Sequence, residues 1–167
     1  NLKKELKKNC DILMSDFWSF ENFKKISKKN KIQKPKLITA IGMFYDLEDP
    51  SKFIKDINLA LDDKGIFIAQ LMCLKSMIEK NDLGNICHEH LEYYSYKSLI
   101  YLFETNGFQI IKVEENEINS GSYRIYCKKK ISKSINYREN TSLKATTKFI
   151  DRIKKIKSKC FNFVKKE

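Results

Sequence analysis

Apolar residues fall into short runs separated by polar, turn-forming stretches. The run CDILMSDFW, residues 10–18, has the length of a short buried strand followed by a turn. SFENFKKISKKN then sets Phe20, Phe23 and Ile26 on one helical face, with Ser19 placed to cap the first turn. KPKLITAIGMF predicts a second strand, entered after Pro35 and closing near Gly42. DPSKFIKDINLALDD returns to helical spacing through Phe53, Ile57 and Leu61, with Asp49 or Ser51 as cap and Lys64-Gly65 as its end. IFIAQLM, apolar on both faces, predicts a third strand. SYKSLIYLFETNG predicts a helix stopped at Asn106-Gly107. FQIIKVEENE and GSYRIYCKK predict two strands joined by INS, hence an antiparallel pair.

Helix and strand alternate until that last pair. The pattern predicts an α/β fold: an open parallel sheet with helices on both faces and an antiparallel strand near one edge. In such sheets ligands sit beyond the carboxyl ends of the strands. Asp16, Gly42–Tyr45 and the loop that follows the third strand all lie at strand ends, so all three point to one crevice. The segment SLKATTKFIDRIKKIKSKCFNFV repeats Phe149, Ile153, Ile156, Cys160 and Phe163 at helical steps, a lysine-rich amphipathic helix. Its apolar stripe calls for cover from this domain, from a segment outside the chain, or from a membrane surface. The chain therefore divides into a partial α/β domain over residues 1–134 and a basic helical extension over 135–167.

Composition narrows the partners. At 167 residues and 42% apolar, the chain is one domain able to bury a core. No run approaches the roughly 18 apolar residues that a spanning helix needs. Five scattered cysteines, odd in number and never spaced C-x-x-C, argue against a disulfide framework and a thiolate zinc site, and fit a reducing cytoplasm. The net charge of +12 is concentrated: from Lys128 onward there are 14 Lys/Arg against 3 Asp/Glu, and before it 19 against 18. A basic tail of this kind reads as a solvated helix face more readily than as a nucleic-acid reader. A non-catalytic binding module whose tail contacts nucleic acid or an acidic partner is the alternative to an enzyme. The chain opens at Asn1 inside a helical pattern (Leu2 and Leu6), which suggests a piece of something longer.

The stretch GNICHEHLEYYS holds both histidines of the chain, His88 and His90, around Glu89. Three readings follow. On a strand the two histidines would share a face and could ligate a metal, although H-E-x-x-H is absent. A histidine beside a carboxylate also suits a general base, taking a proton from carbon next to a carbonyl or from a hydroxyl. The third reading is structural, with one ring capping a helix and the other bonded to buried backbone.

ITAIGMFYDLEDPSKFIKDINLALDDKGIFIAQ, followed by GNICHEHLEYYSYKSLIYLFETNGFQIIKVEENEINSGSYRIY, resembles the second half of a class I S-adenosylmethionine-dependent methyltransferase. More narrowly it is similar to the sugar C-methyltransferases, through the His-Glu-His, the Tyr-Ser helix start and the Gly-Ser-x-Arg strand. The resemblance runs from about Asp11 to Lys128. It implies a Rossmann-like methyltransferase sheet, incomplete on its N-terminal side, with S-adenosylmethionine as cofactor. It places Asp16 and Phe17 near the adenine, and Gly42, Met43 and Phe44 beside the methionine part. It makes His90 the base, assisted by Glu89 and with His88 alongside, acting on a keto sugar nucleotide or similar carbonyl compound. Tyr93, Asn119 and Arg124 would line the substrate side. The family's glycine-rich loop, zinc-binding domain and sugar-binding C-terminal domain are not in this chain, and Cys87 and Asp46 stand where members often carry Tyr and His. The missing part of the nucleotide fold implies that the chain by itself binds cofactor weakly and turns nothing over, whereas Cys87 and Asp46 count against a deoxysugar acceptor in particular and leave methyl transfer in place.

Overall fold

The computed structural model describes residues 2–139 and 141–165. Six helices are found among them: α1 (Leu2–Leu6), α2 (Phe20–Asn30), α3 (Pro50–Ala60), α4 (Leu74–Lys80), α5 (Tyr96–Thr105) and α6 (Leu143–Val164). Four strands, β1 (Leu37–Ile41), β2 (Ile66–Met72), β3 (Phe108–Asn116) and β4 (Ser122–Lys129), form one sheet in the order β1-β2-β4-β3. β1 and β2 are parallel, whereas β4 runs antiparallel between β2 and β3.

Local chemistry accounts for the helix starts. Ser19 accepts from the Asn22 N–H at 3.1 Å, Asp49 from Lys52 N–H at 2.8 Å and Ser95 from Ser98 N–H at 3.1 Å. Each satisfies one of the donors that a helix leaves unpaired in its first turn. Gly107, at φ +82°, ends α5 in a conformation that side chains resist.

The core lies on one face of the sheet. Ile54, Ile57 and Leu61 from around α3 and Leu99 and Phe103 from α5 meet Ala40, Phe67, Leu71, Tyr123 and Ile125. Phe103 stacks on both Phe44 and Phe67, with centroids 5.7 and 6.0 Å apart. The other face differs from the expected second helical layer. Leu37 and Ile41 remain more than half exposed on β1, and farther along that face Gln70, Arg124 and Glu114 stand in register.

One expected strand is absent. Residues 10–18 run as irregular chain, with only Leu13, Met14 and Trp18 of the run half-buried. A strand forms by pairing, and β1 and β2 already satisfy each other while the outer edge of β1 takes no partner among the described residues. The apolar run therefore packs by side chains alone, Trp18 against Phe23 and Phe53.

After β4 the chain crosses back over the domain. Gln109 Oε1 accepts from Ile131 and Ser132 N–H, Ile135 N–H donates to the Ile110 carbonyl, and Tyr137 packs edge-on to Tyr96 and Tyr123. Helix α6 then lies against α4, where Arg152 donates to Asn81 Oδ1 and the Ile78 carbonyl, both at 2.6 Å. Phe149 and Ile153 are half-buried there, whereas Ile156, Cys160 and Phe163 stay exposed. No helix among the described residues is long and apolar enough to cross a membrane.

Candidate active site

Three connections meet at the carboxyl ends of β1 and β2. The first follows β1. Gly42, at φ +67°, donates its N–H to the Gln70 carbonyl at 3.0 Å and turns the chain into a short 3-10 turn over Phe44–Asp46. Phe44 enters the core and is fully buried, backbone included, so it presents no surface to a ligand beside Gly42. Tyr45 is buried too, and its carbonyl accepts from Leu91 and Glu92 N–H at 2.9 and 3.2 Å.

The second connection follows β2. Cys73 bridges to Tyr94, and Leu74 N–H donates to the Tyr94 carbonyl at 2.9 Å, closing the base of the histidine loop. α4 ends at Asn81 in the left-handed region, and Asp82 ties the loop by accepting from Gly84 N–H and the Asn85 side chain. The third is the β3–β4 hairpin. Asn119 and Ser120 both take positive φ, and the Asn119 carbonyl accepts from Asn85 Nδ2 at 3.1 Å.

His90 sits where these meet. Its Nδ1 is 2.7 Å from the Asn85 carbonyl, and the Tyr93 hydroxyl donates to that same oxygen at 3.2 Å. A carbonyl oxygen only accepts, so Nδ1 carries the hydrogen and the neutral ring keeps its lone pair on Nε2. The Tyr45 ring meets the imidazole edge-on, centroids 4.7 Å apart. Burial above all, and then the Asp46 carboxylate, raise the pKa of the Tyr45 hydroxyl above the ordinary phenol value, against a lowering by the nearby Asn119 side chain.

Of the residues singled out in the sequence, the fold brings His90, Tyr93 and Asn119 together. His88 points away, 92% exposed, and Glu89 lies 3.9 Å from His88 while making no hydrogen bond to His90. The loop makes a turn at this point, with His90 N–H donating to the Cys87 carbonyl, which sends the two imidazoles different ways. No group of three or more His, Cys, Asp or Glu gathers to hold a metal among the described residues. Arg124 lies on the sheet face, its Nε and Nη2 both donating to Gln70 Oε1 at 3.0 and 2.7 Å. Asp16 is exposed and Ser19, not Asp16, caps α2. Phe17, 97% exposed, and Trp18 border a cavity of about 550 Å3 with Asp46, Asp49, Lys52 and Phe53. Tyr45 and Asn85 were not among the site residues read from the sequence. Both act on His90 through backbone carbonyls or a ring edge, and carbonyls leave no signal in a side-chain pattern.

Comparison with known proteins identifies the family. A family model described as a methyltransferase domain matches residues 6–113. C-methyltransferase NovU from Streptomyces niveus is 25% identical over 91 residues, which cover 54% of this chain and 22% of that protein. The chain thus spans about a fifth of the length of that curated relative. Among solved structures, magnesium protoporphyrin IX methyltransferase (ChlM) from Synechocystis PCC 6803 with bound SAH aligns over 59% of this chain and 46% of its own, at 12% identity and TM-score 0.46. LaPhzM aligns over 59% and 31%, at 12% identity and TM-score 0.48.

Proposed function

The chain belongs to the methyltransferase-domain family, and from that premise we propose that it supplies the base-bearing part of an enzyme that methylates carbon beside a carbonyl, using S-adenosylmethionine. The observation that carries the reading is the hydrogen bond from His90 Nδ1 to the Asn85 carbonyl at 2.7 Å. It fixes the tautomer that leaves Nε2 as a proton acceptor, which is the first requirement of a general base. His90 takes the proton from the carbon next to the carbonyl, and the electron pair left behind spreads onto the carbonyl oxygen. His88 and Glu89, both largely exposed, form no part of this arrangement.

The residues present fit one end of the cofactor. The cavity beside Phe17, Trp18 and Phe53 has flat aromatic walls for a purine, and Asp46 and Asp49 offer acceptors for its amino group. Gly42 leaves its backbone open, since a Cβ there would meet no atom nearer than the Tyr45 hydroxyl at 3.9 Å. When bound, S-adenosylmethionine supplies an electrophilic methyl group on its sulfonium. Asn119 and Tyr93 border the side where an acceptor would enter; the similarity to a C-methyltransferase favours carbon as the atom methylated, and a keto sugar nucleotide is the acceptor class that the resemblance around His-Glu-His implies.

The test is transfer of isotopically labelled methyl to a keto sugar nucleotide, by this chain and by any longer protein containing it. His90→Asn is expected to lower turnover by about a hundredfold or more, the usual contribution of a positioned base, with cofactor binding retained. Full activity in that variant would remove His90 from the reaction.

A further inference from the structure

We infer that Tyr45 is the positioning residue for His90, holding the imidazole so that Nε2 faces the reaction side. This rests on the reading of His90 as the base. One hydrogen bond cannot orient a ring: the Nδ1 contact to Asn85 leaves the imidazole free to swing about that bond and out toward water, as His88 does two residues earlier.

Tyr45 removes that freedom in two ways. Its carbonyl takes the N–H groups of Leu91 and Glu92, which sets the backbone just after His90. Its ring stands against the imidazole at 72° with centroids 4.7 Å apart, occupying the space into which the imidazole would turn. The buried Phe44 next to it anchors this turn in the core through Phe103 and Tyr94. The exit of β1 and the histidine loop are thereby joined through one residue.

The chain has only two histidines, so nitrogen-15 NMR of the full chain reports each one separately, with exposed His88 as internal reference. In the unmodified chain His90 is expected as the Nδ1–H tautomer, with ring protons shifted by Tyr45 and cross-relaxing with its ring. In Tyr45→Leu the tautomer preference of His90 is expected to collapse to that of His88. In Tyr45→Phe, which keeps the ring, most of it should survive. A His90 that lacks the Nδ1–H tautomer in the unmodified chain would overturn the base assignment beneath the inference. A His90 that has it there and keeps it in folded Tyr45→Leu would overturn the inference alone. Should Tyr45→Leu fail to fold, absence of ring-to-ring cross-relaxation in the unmodified chain overturns it equally.

Discussion

Replacing Gly121 by alanine tests how tightly the hairpin that carries Asn119 is held. Gly121 takes φ +133° and ψ +123°, backbone that glycine enters freely and other residues scarcely at all. An added Cβ would also overlap Ser76 Cβ and Oγ in α4, well inside van der Waals contact. Neither atom is the loose end of a long side chain, so the hairpin or the helix must shift. The conformational part alone costs about 1–3 kcal/mol. Overpacking adds about 1–3 kcal/mol, and roughly 3–4 kcal/mol in all is a reasonable centre for the sum.

Urea unfolding followed by circular dichroism gives this difference directly, provided the slope of the transition is unchanged. The two contributions separate by adding Ser76→Gly, which removes the overlapping atoms. The double variant should recover the steric part and keep the conformational part, an interaction energy of about 1–3 kcal/mol in the double-mutant cycle. Ser76→Ala should not rescue, because it retains the Cβ. A Gly121→Ala change costing under about 0.5 kcal/mol, the size of an ordinary surface substitution, would show that hairpin and helix are not in contact as described. Recovery of the full loss by Ser76→Gly would show that the positive φ carries no strain.

Other perturbations have clear directions. Glu104 is held down to a pKa of about 2, chiefly by the Ser134 backbone N–H at 2.8 Å and then by the Ser134 side chain and Lys130. Because the folded value is the lower one, its stabilisation is complete above the ordinary carboxylate range and fades as pH falls from about 4.5 toward 2. Glu104→Gln should therefore flatten the acid limb of stability against pH, and an unchanged limb would count against the contact. Arg152→Ala should detach α6 from α4, losing about 1–3 kcal/mol through its two bonds to Asn81 and Ile78. Amide exchange should rise across residues 143–164 and stay constant in β2, whereas unaltered protection in α6 would mean that Phe149 and Ile153 hold it unaided.

The elements that were legible in the sequence are those whose cause is local. α2, α3 and α5 each begin with a capping side chain and repeat apolar residues at helical spacing, and the hairpin of β3 and β4 follows from two apolar runs separated by a short turn. The strand expected at residues 10–18 fails because pairing is not local: the composition is right, but no neighbour accepts it. α4 was missed for the converse reason. Seven residues make a poor helix alone, and LKSMIEK is held by the Cys73–Tyr94 bridge behind it and by Ser76 seated against Gly121.

At the site, the same distinction separates His90 from His88. Two histidines around a carboxylate read as a pair, and on a strand they would share a face. The chain makes a turn there instead, so alternation no longer describes where the rings go. One imidazole enters a pocket of fixed partners, Asn85, Tyr93 and Tyr45, while the other is in water beside Glu89. A metal held by both would need them on one side of the loop. A base needs only one, with its far nitrogen free and its near nitrogen occupied. The turn that defeats the first arrangement is what creates the geometry proposed for the second, because it carries His90 back over the Asn85 carbonyl and against the ring of Tyr45.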